Sequence, residues 1–531
     1  MSTPFPRLTL HGAARAVTGS CFRLETARGV MLVDCGMFQG SKTEKELNYR
    51  PFPFDAPAVD AVVLTHAHID HSGLLPKLVR DGFRGPIHAT AATVGLAGVM
   101  LPDSAHIQAV EVEQLNRRRA RWSHEAVEPI YDDGDVRQCL GQMQAHPYGV
   151  WFSVLPDTRA RLWNAGHMLG SASVELAVDV PGQSEPLSLL FSGDLGPGAK
   201  LLHPEPEGPS GVDYLICEST YGGTDRAATS DEARRQTLGA EVRAAMRPDG
   251  ALLIPSFAVE RAQELISDLT HLIDTGDLPP IPIFIDSPMA AKATQVYRQH
   301  RASLENGQDF ARSLRAEELH FTQSVEESIA LDSVTGFHIV IAASGMCEAG
   351  RIRHRLKRWI WSEAATVLIV GYQAVGTLGR LLLDGVPSVR IQGEAFDVRA
   401  RIRSIDLYSG HADGPELDAW IQARAPRKGL ILSHGEVLPM QTLASRQSAL
   451  RKPMPVLTPA LDTCLVLGPT GATEAEPAPE PRLHPESVAQ LDWHNDVSKL
   501  FLDLNDALKA SADAKSRAHL IRRIRRAMDD A

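Results

Sequence analysis

The chain has 531 residues, of which 44% are hydrophobic and 22% charged, with a formal net charge of −11. That length exceeds one hydrophobic core, so two or more domains are expected, and the ordinary composition excludes a largely disordered chain. The acidic balance argues against a generic basic nucleic-acid coat, so any nucleic-acid contact would need clustered Arg and Lys.

The first ten residues carry prolines and no apolar stretch of signal-peptide length, and no run later in the chain approaches the length of a membrane span. A cytoplasmic location without membrane contact is expected. Strand-like segments at 8–10, 21–25 and 30–33 alternate with glycine turns, and the last runs into Asp34. The apolar run 61–64 reads as a buried strand that delivers His66-Ala67-His68-Ile69-Asp70-His71 to a loop at a sheet edge. Residues 74–80 read as a short helix and 87–89 as a strand. A helix is expected from about 93 to 125, with Leu101-Pro102-Asp103 an irregularity and the basic run 117–121 a solvated face. Residues 135–139 read as a turn, then 151–154 and 161–164 as strands, the second leading to His167. A hairpin over 174–180 and 187–191 ends near Asp194, and the strand 214–217 ends at Glu218.

Helices and strands then alternate. Helices are expected at 230–247, 258–275 and 350–361, with another after Pro288, and strands at 251–254, 283–285, 338–342 and 365–370. That rhythm predicts a parallel sheet. Strands at 399–405 and 429–432 lead to His411 and His434. Residues 469–486 are rich in Pro, Glu and Ala and read as a linker. Beyond it Val497, Leu500, Leu504 and Leu508, then Leu520, Ile521, Ile524 and Met528, recur at helical spacing, the second group beside Arg522, Arg523, Arg525 and Arg526. This appendage over 487–531 offers a homodimer contact, a docking face for processing partners or a basic RNA-touching face. The six cysteines (Cys21, Cys35, Cys139, Cys217, Cys347 and Cys464) stand singly, which fits reduced thiols and argues against a disulfide framework or Cys-ligated zinc.

Three imidazoles and a carboxylate within six residues have no cheap structural explanation. In an extended segment His66 and His68 share a face and can grip one metal, while Asp70 and His71 fall in the following turn and reach a second. His167, Asp194 and His434 each end a strand in a glycine turn. The assignment is His66, His68 and His167 on one Zn²⁺, Asp70, His71 and His434 on another, and Asp194 between them; imidazole and carboxylate donors suit zinc. Asp34 reads as a carboxylate that orients ligands. His146, which precedes Pro147, is the weaker competitor for the place of His167.

This order of motifs resembles the metallo-β-lactamase superfamily. The resemblance implies an α/β fold, an αββα sandwich with a dinuclear zinc site at one edge. Glu218 in Cys217-Glu218-Ser219-Thr220-Tyr221, His411 in Ser409-Gly410-His411-Ala412-Asp413 and His434 in Ser433-His434-Gly435 look like motifs A, B and C of its β-CASP nuclease branch. Residues 255–264, 286–290 and 344–353 are similar to the same branch. The likeness covers roughly 8 to 468. It implies a metallo-β-lactamase domain over 1–211 and 395–468, interrupted by an inserted parallel-sheet β-CASP domain over 212–394. RNA targeting by an N-terminal KH pair of the archaeal type is not expected.

The resemblance implies a zinc-dependent ribonuclease acting on single-stranded RNA, endonucleolytic with 5′→3′ exonuclease action as an addition, leaving a 5′-phosphate and a 3′-hydroxyl. His411 would be the general acid and Glu218 would hold its tautomer. A nuclease acting on DNA and a non-catalytic RNA-binding subunit stay open as alternatives, although His434 leans toward the RNA members and the full ligand set toward catalysis. RNA-binding candidates are Ser256, Ser344-Gly345-Met346, and Gly350 before a helix carrying Arg351 and Arg353, whose N-terminal N–H groups would cradle phosphate. Arg399, Arg401 and Arg403 on one strand face are further candidates, with residues 373–379.

Overall fold

A computed structural model describes residues 4–475 apart from 41, 121–125, 199, 228, 375 and 451–453, together with 482, 517–518 and 521–523. Three main sheets organise the described chain. The first has eight strands in the spatial order Ala472–Glu474, Cys464–Leu467, Arg7–Leu10, Phe22–Glu25, Val30–Val33, Ala61–Val63, Ile87–Ala89 and Met143–Ala145. The second has seven, in the order Val456–Leu457, Gly429–Ser433, Tyr214–Glu218, Leu187–Phe191, Ala172–Val178, Thr158–Asn164 and Phe152–Leu155.

These two sheets pack face to face because each alternates inward apolar residues. Leu8, Leu24, Met31, Val33 and Val63 from the first meet Leu162, Val174, Leu176, Leu189, Phe191 and Ile216 from the second in one buried cluster. Helices cover both outer faces. Leu75–Arg80, Ala91–Ala120 and Asp133–Gly141 lie on the first, and Gly414–Arg424 and Val437–Leu450 on the second. The αββα sandwich is therefore as expected.

The third sheet has six strands, ordered Leu319–Phe321, Ile283–Asp286, His338–Ala342, Ala251–Pro255, Thr366–Ile369 and Arg401–Ser404. All of its pairings are parallel, as the helix–strand alternation predicts. One core runs through both bodies, from Leu32, Leu64 and Leu96 to Leu252, Ile254 and Leu265. Gly95 of the long helix faces the helix Pro288–Gln299 so closely that a Cβ there would sit 3.0 Å from Val296 Cγ1. Among the described residues, no helix is long and apolar enough to cross a membrane.

Several local expectations change. Residues 135–139 are helical, within Asp133–Gly141, because Asp132 and Asp135 form a reciprocal capping box at its start. Pro102 does not interrupt the long helix, which runs unbroken from Ala91 to Ala120. The segment from 469 begins as structure: Ala472–Glu474 pairs antiparallel with Cys464–Leu467 at the edge of the first sheet. Arg482 is also anchored, its guanidinium 2.5 Å from Asp462 Oδ2 and donating to the His11 carbonyl. Residues 517–518 and 521–523 are helical, and the rest of the appendage over 487–531 lies outside the described residues.

Candidate metal centre

The two sandwich sheets bring their carboxyl ends to one edge. In the first, the parallel strands Val30–Val33 and Ala61–Val63 lead to Asp34 and to His66–His71. In the second, Leu187–Phe191, Tyr214–Glu218 and Gly429–Ser433 run parallel and lead to Asp194, Glu218 and His434. Thr158–Asn164 points the same way, antiparallel to the antiparallel neighbour, and delivers His167. Asp34 and His434 both take left-handed backbone, φ 61 and φ 45, which turns their side chains off the strand direction.

Two histidine-rich donor groups form at this edge, His66, His68, His167 and Asp194, and Asp70, His71 and His434, and a third set, Asp194, Glu218 and His411, adjoins them. In the first, His68 Nδ1 lies 3.1 Å from His66 Nε2 and 3.0 Å from His167 Nε2. Asp194 Oδ2 lies 3.6 and 3.7 Å from the same Nε2 atoms of His66 and His167. Donors at zinc–nitrogen distance around one tetrahedral ion stand roughly 3.3 Å apart, so these spacings fit. In the second, His71 Nε2 is 3.3 Å from His434 Nε2 and 3.3 Å from Asp194 Oδ1, and His434 Nε2 is 3.6 Å from Asp70 Oδ2. Asp194 Oδ1 is buried, with imidazoles nearby but no aligned hydrogen-bond donor. An orphaned carboxylate oxygen between two nests of imidazole nitrogens is what a cation would satisfy. Residues and group fit.

Electrostatics agree. Burial pushes the His66, His68 and His167 imidazoles down, which leaves them neutral with a lone pair to offer. For His71 burial acts in the same direction, but Asp194 and Asp34 outweigh it and hold the ring well above its ordinary value. Burial would raise Asp194, yet the surrounding imidazoles, His434 foremost, hold it well below the carboxylate range.

The candidate ligand rings are held from behind. Asp34 Oδ2 accepts from His71 Nδ1 at 2.7 Å and from the Thr65 hydroxyl at 2.8 Å, and Asp34 Oδ1 accepts the Thr65 N–H at 2.7 Å. His167 Nδ1 donates to the Gly410 carbonyl at 2.7 Å, and Thr220 Oγ1 lies 3.0 Å from His434 Nδ1. Such partners set tautomer and orientation. Thr65, Thr220 and Gly410 carried no recognisable signal beyond lying next to expected residues. His146 is elsewhere, 2.9 Å from His88 and stacked on Phe152.

His411 stands at the rim. Its Nδ1 is 3.1 Å from Glu218 Oε1 and its Nε2 is 3.9 Å from Asp194 Oδ2. Glu218 is fixed by the Leu195 N–H at 2.6 Å. Burial lowers the His411 imidazole, but the Glu218 charge and hydrogen bond prevail, and its pKa is raised.

The helix Arg261–Asp274 of the third sheet braces this rim. Lys200 Nζ bonds both the His167 carbonyl and the Glu260 carboxylate, and Arg261 Nε donates to the Tyr408 carbonyl at 2.9 Å. Tyr408 OH and Arg234 Nε both donate to buried Asp268 Oδ2, at 2.9 and 2.8 Å. Glu264 is buried next to this network, and desolvation, reinforced by the Glu260 charge, pushes its carboxyl up to about 8. Its folded pKa thus exceeds its unfolded value, so between pH 4.5 and about 8 unfolding releases a proton and stability falls as pH rises. Glu264→Gln removes that penalty. Its melting temperature should match wild type near pH 5 and exceed it by about 2 °C or more at pH 9, read by calorimetry.

The expected phosphate grip is largely spent inside the fold. Arg351 donates to Asp286 Oδ1 at 2.9 Å and to the carbonyls of Gln323 and Ser324. Arg353 bonds the Glu348 carbonyl at 3.0 Å. The helix is Ile352–Trp359, and the N–H groups of Ile352, Arg353 and His354 already donate to Ala343, Gly350 and Arg351 carbonyls. The anion cradle expected there is therefore filled by backbone. Gly350 is glycine for packing, since a Cβ would sit 2.3 Å from the Ala343 carbonyl oxygen. Arg401 and Arg403 are held on Ala244 and Glu241 of the helix Asp231–Ala245. Arg399 lies 3.8 Å from Asp397. Ser256, Ser344, Gly345 and Met346 do lie at the carboxyl edge of the third sheet.

Three family models match the chain: the metallo-beta-lactamase superfamily over residues 14–150, the Beta-Casp domain over 262–382, and the Zn-dependent metallo-hydrolase RNA specificity domain over 396–458. Ribonuclease TTHA0252 of Thermus thermophilus is 37% identical over 439 residues, 81% of this chain and 93% of that protein. Transcription termination factor FttA of Cenarchaeum symbiosum is 31% identical over 82% of this chain and 67% of its own length. The FttA of Methanothermobacter thermautotrophicus is 30% identical over 83% and 68%.

Proposed function

This chain belongs to the metallo-β-lactamase superfamily, in its β-CASP branch, and we propose that it cuts single-stranded RNA internally, leaving 5′-phosphate and 3′-hydroxyl ends. It is a zinc-dependent metallo-hydrolase and a ribonuclease homologue. The observation that carries the finer reading is Asp194, one carboxylate shared by two donor groups with the His411–Glu218 pair beside it. His66, His68 and His167 would hold one ion, Asp70, His71 and His434 a second, and Asp194 would bridge.

Zinc, when bound there, supplies an activated water and draws off charge from the phosphate. The protein does the rest. Asp34 and the Gly410 carbonyl hold His71 and His167 in the tautomers that aim Nε2 inward. Glu218 accepts the hydrogen bond from His411 Nδ1–H and raises the pKa of the ring, so the imidazolium would carry its second proton on Nε2, facing the centre, and hand it to the leaving 3′-oxygen. The inserted unit, expected over 212–394 although Tyr214–Glu218 pairs within the second sheet and Arg401–Ser404 within the third, would roof the site, and Ser256, Ser344, Gly345 and Met346 would line the RNA path beneath it.

Purified protein given 5′-phosphorylated and 5′-capped copies of one RNA, with a DNA copy in competition, tests this. Internal cuts at the same positions in both RNAs, with 5′-phosphates on the downstream products, are expected. Cutting of DNA alone, or products ending in 2′,3′-cyclic phosphate, would refute the reading.

A further inference from the structure

We propose that Phe257 and Tyr372 form a stacking platform for one base of the RNA strand, an assignment that rests on the ribonuclease reading. The third sheet is wholly parallel, so all its carboxyl ends meet one edge, the edge where open α/β sheets bind ligands. That edge faces the metal centre, because the segment after Arg401–Ser404 carries Gly410, whose carbonyl holds His167, and then His411.

Phe257 follows Ala251–Pro255, the strand between His338–Ala342 and Thr366–Ile369. Gly345 follows the first of those neighbours and Tyr372 the second, so the three residues come off adjacent strands. The two rings are 43% and 55% exposed, whereas the residues around them, Ser256, Val259, Ile369 and Gln373, are buried at 4% or less. Large aromatics left in water at such a tightly packed edge contribute nothing to the core.

Phe257 is also fixed in place. A Cβ on Gly345 would lie 3.3 Å from its Cδ2, which explains why that position is glycine. The Arg261 guanidinium sits 5.0 Å from the ring centroid and is itself tied to the Tyr408 carbonyl. A rigid ring backed by a buried cation binds with little loss of entropy. Every base has a π-face, so stacking here tolerates any sequence. An apolar peptide is a poorer match, because the surroundings are an arginine, glycines and polar backbone.

The test pairs ring and base. A short RNA that the wild type cuts is compared with copies carrying an abasic ribose at each position in turn, on wild type, Phe257→Ala, Phe257→Tyr and Tyr372→Ala. At one position the abasic copy should raise the wild-type KM about tenfold, with a smaller change in kcat. Phe257→Ala should raise KM for intact RNA by a similar factor, with no further rise for that abasic copy, and Phe257→Tyr should restore it. Tyr372→Ala should show the same pattern at that position or its neighbour. Unchanged KM in the alanine variants, or effects that multiply independently at every position, would overturn the platform alone. Absence of RNA cutting by the wild type would overturn the ribonuclease reading and the platform with it.

Discussion

His411→Ala is expected to slow RNA cleavage by about 10²- to 10⁴-fold while the zinc content per chain stays at the wild-type level. The separation follows from geometry. His411 belongs to neither histidine-rich donor group but to a third set with Asp194 and Glu218, and its 3.9 Å approach to Asp194 is a rim contact. Its Nδ1 is committed to Glu218, so a metal ligand would have to be Nε2, the atom left for proton transfer. Metal analysis alongside single-turnover cleavage checks both halves. A variant that keeps zinc and cuts at the wild-type rate would remove His411 from proton transfer, and one that loses zinc would make it a ligand.

Asp194→Ala should have the larger effect. Asp194 touches both donor groups, Oδ1 near His71 and His434 and Oδ2 near His66 and His167. Its loss leaves the His66, His68 and His167 group with no carboxylate and the other group with Asp70 alone. Zinc should fall below two per chain and cleavage by roughly 10³-fold or more, since each tenfold is about 1.4 kcal/mol and a shared carboxylate supports charge at both positions. His146→Ala is the matched control, because that ring pairs with His88 away from the centre, and it should keep its metal. Equal zinc content in Asp194→Ala and wild type would end the bridging assignment.

The centre was legible where chemistry is written locally or at strand ends. His66, His68, Asp70 and His71 declare themselves by spacing alone. His167, Asp194 and His434 could be found because each follows an apolar strand in a glycine turn. The alternation of helices and strands likewise foretold the parallel sheet. What could not be read was set by partners distant in sequence. Arg351 looks like a free cation until Asp286, 65 residues away, meets its guanidinium. Lys200 and Glu260 belong to the rim only because the fold places them against His167 and Gly410. Asp132-Asp133-Gly134-Asp135 serves equally as turn chemistry or as a helix start, and only the capping box in place decides. Gly414–Arg424 was missed altogether, though Asp413 and Glu416 form the same device at its start.

His434 reaches His71 across a sequence separation of 363, and the outer strands Cys464–Leu467 and Ala472–Glu474 close the first sheet beside Arg7–Leu10. A chain still being made on the ribosome therefore lacks one donor, and an edge of its first sheet, until residues 434 and 464–474 have been added. A product stopped before His434 lacks that donor and that sheet edge.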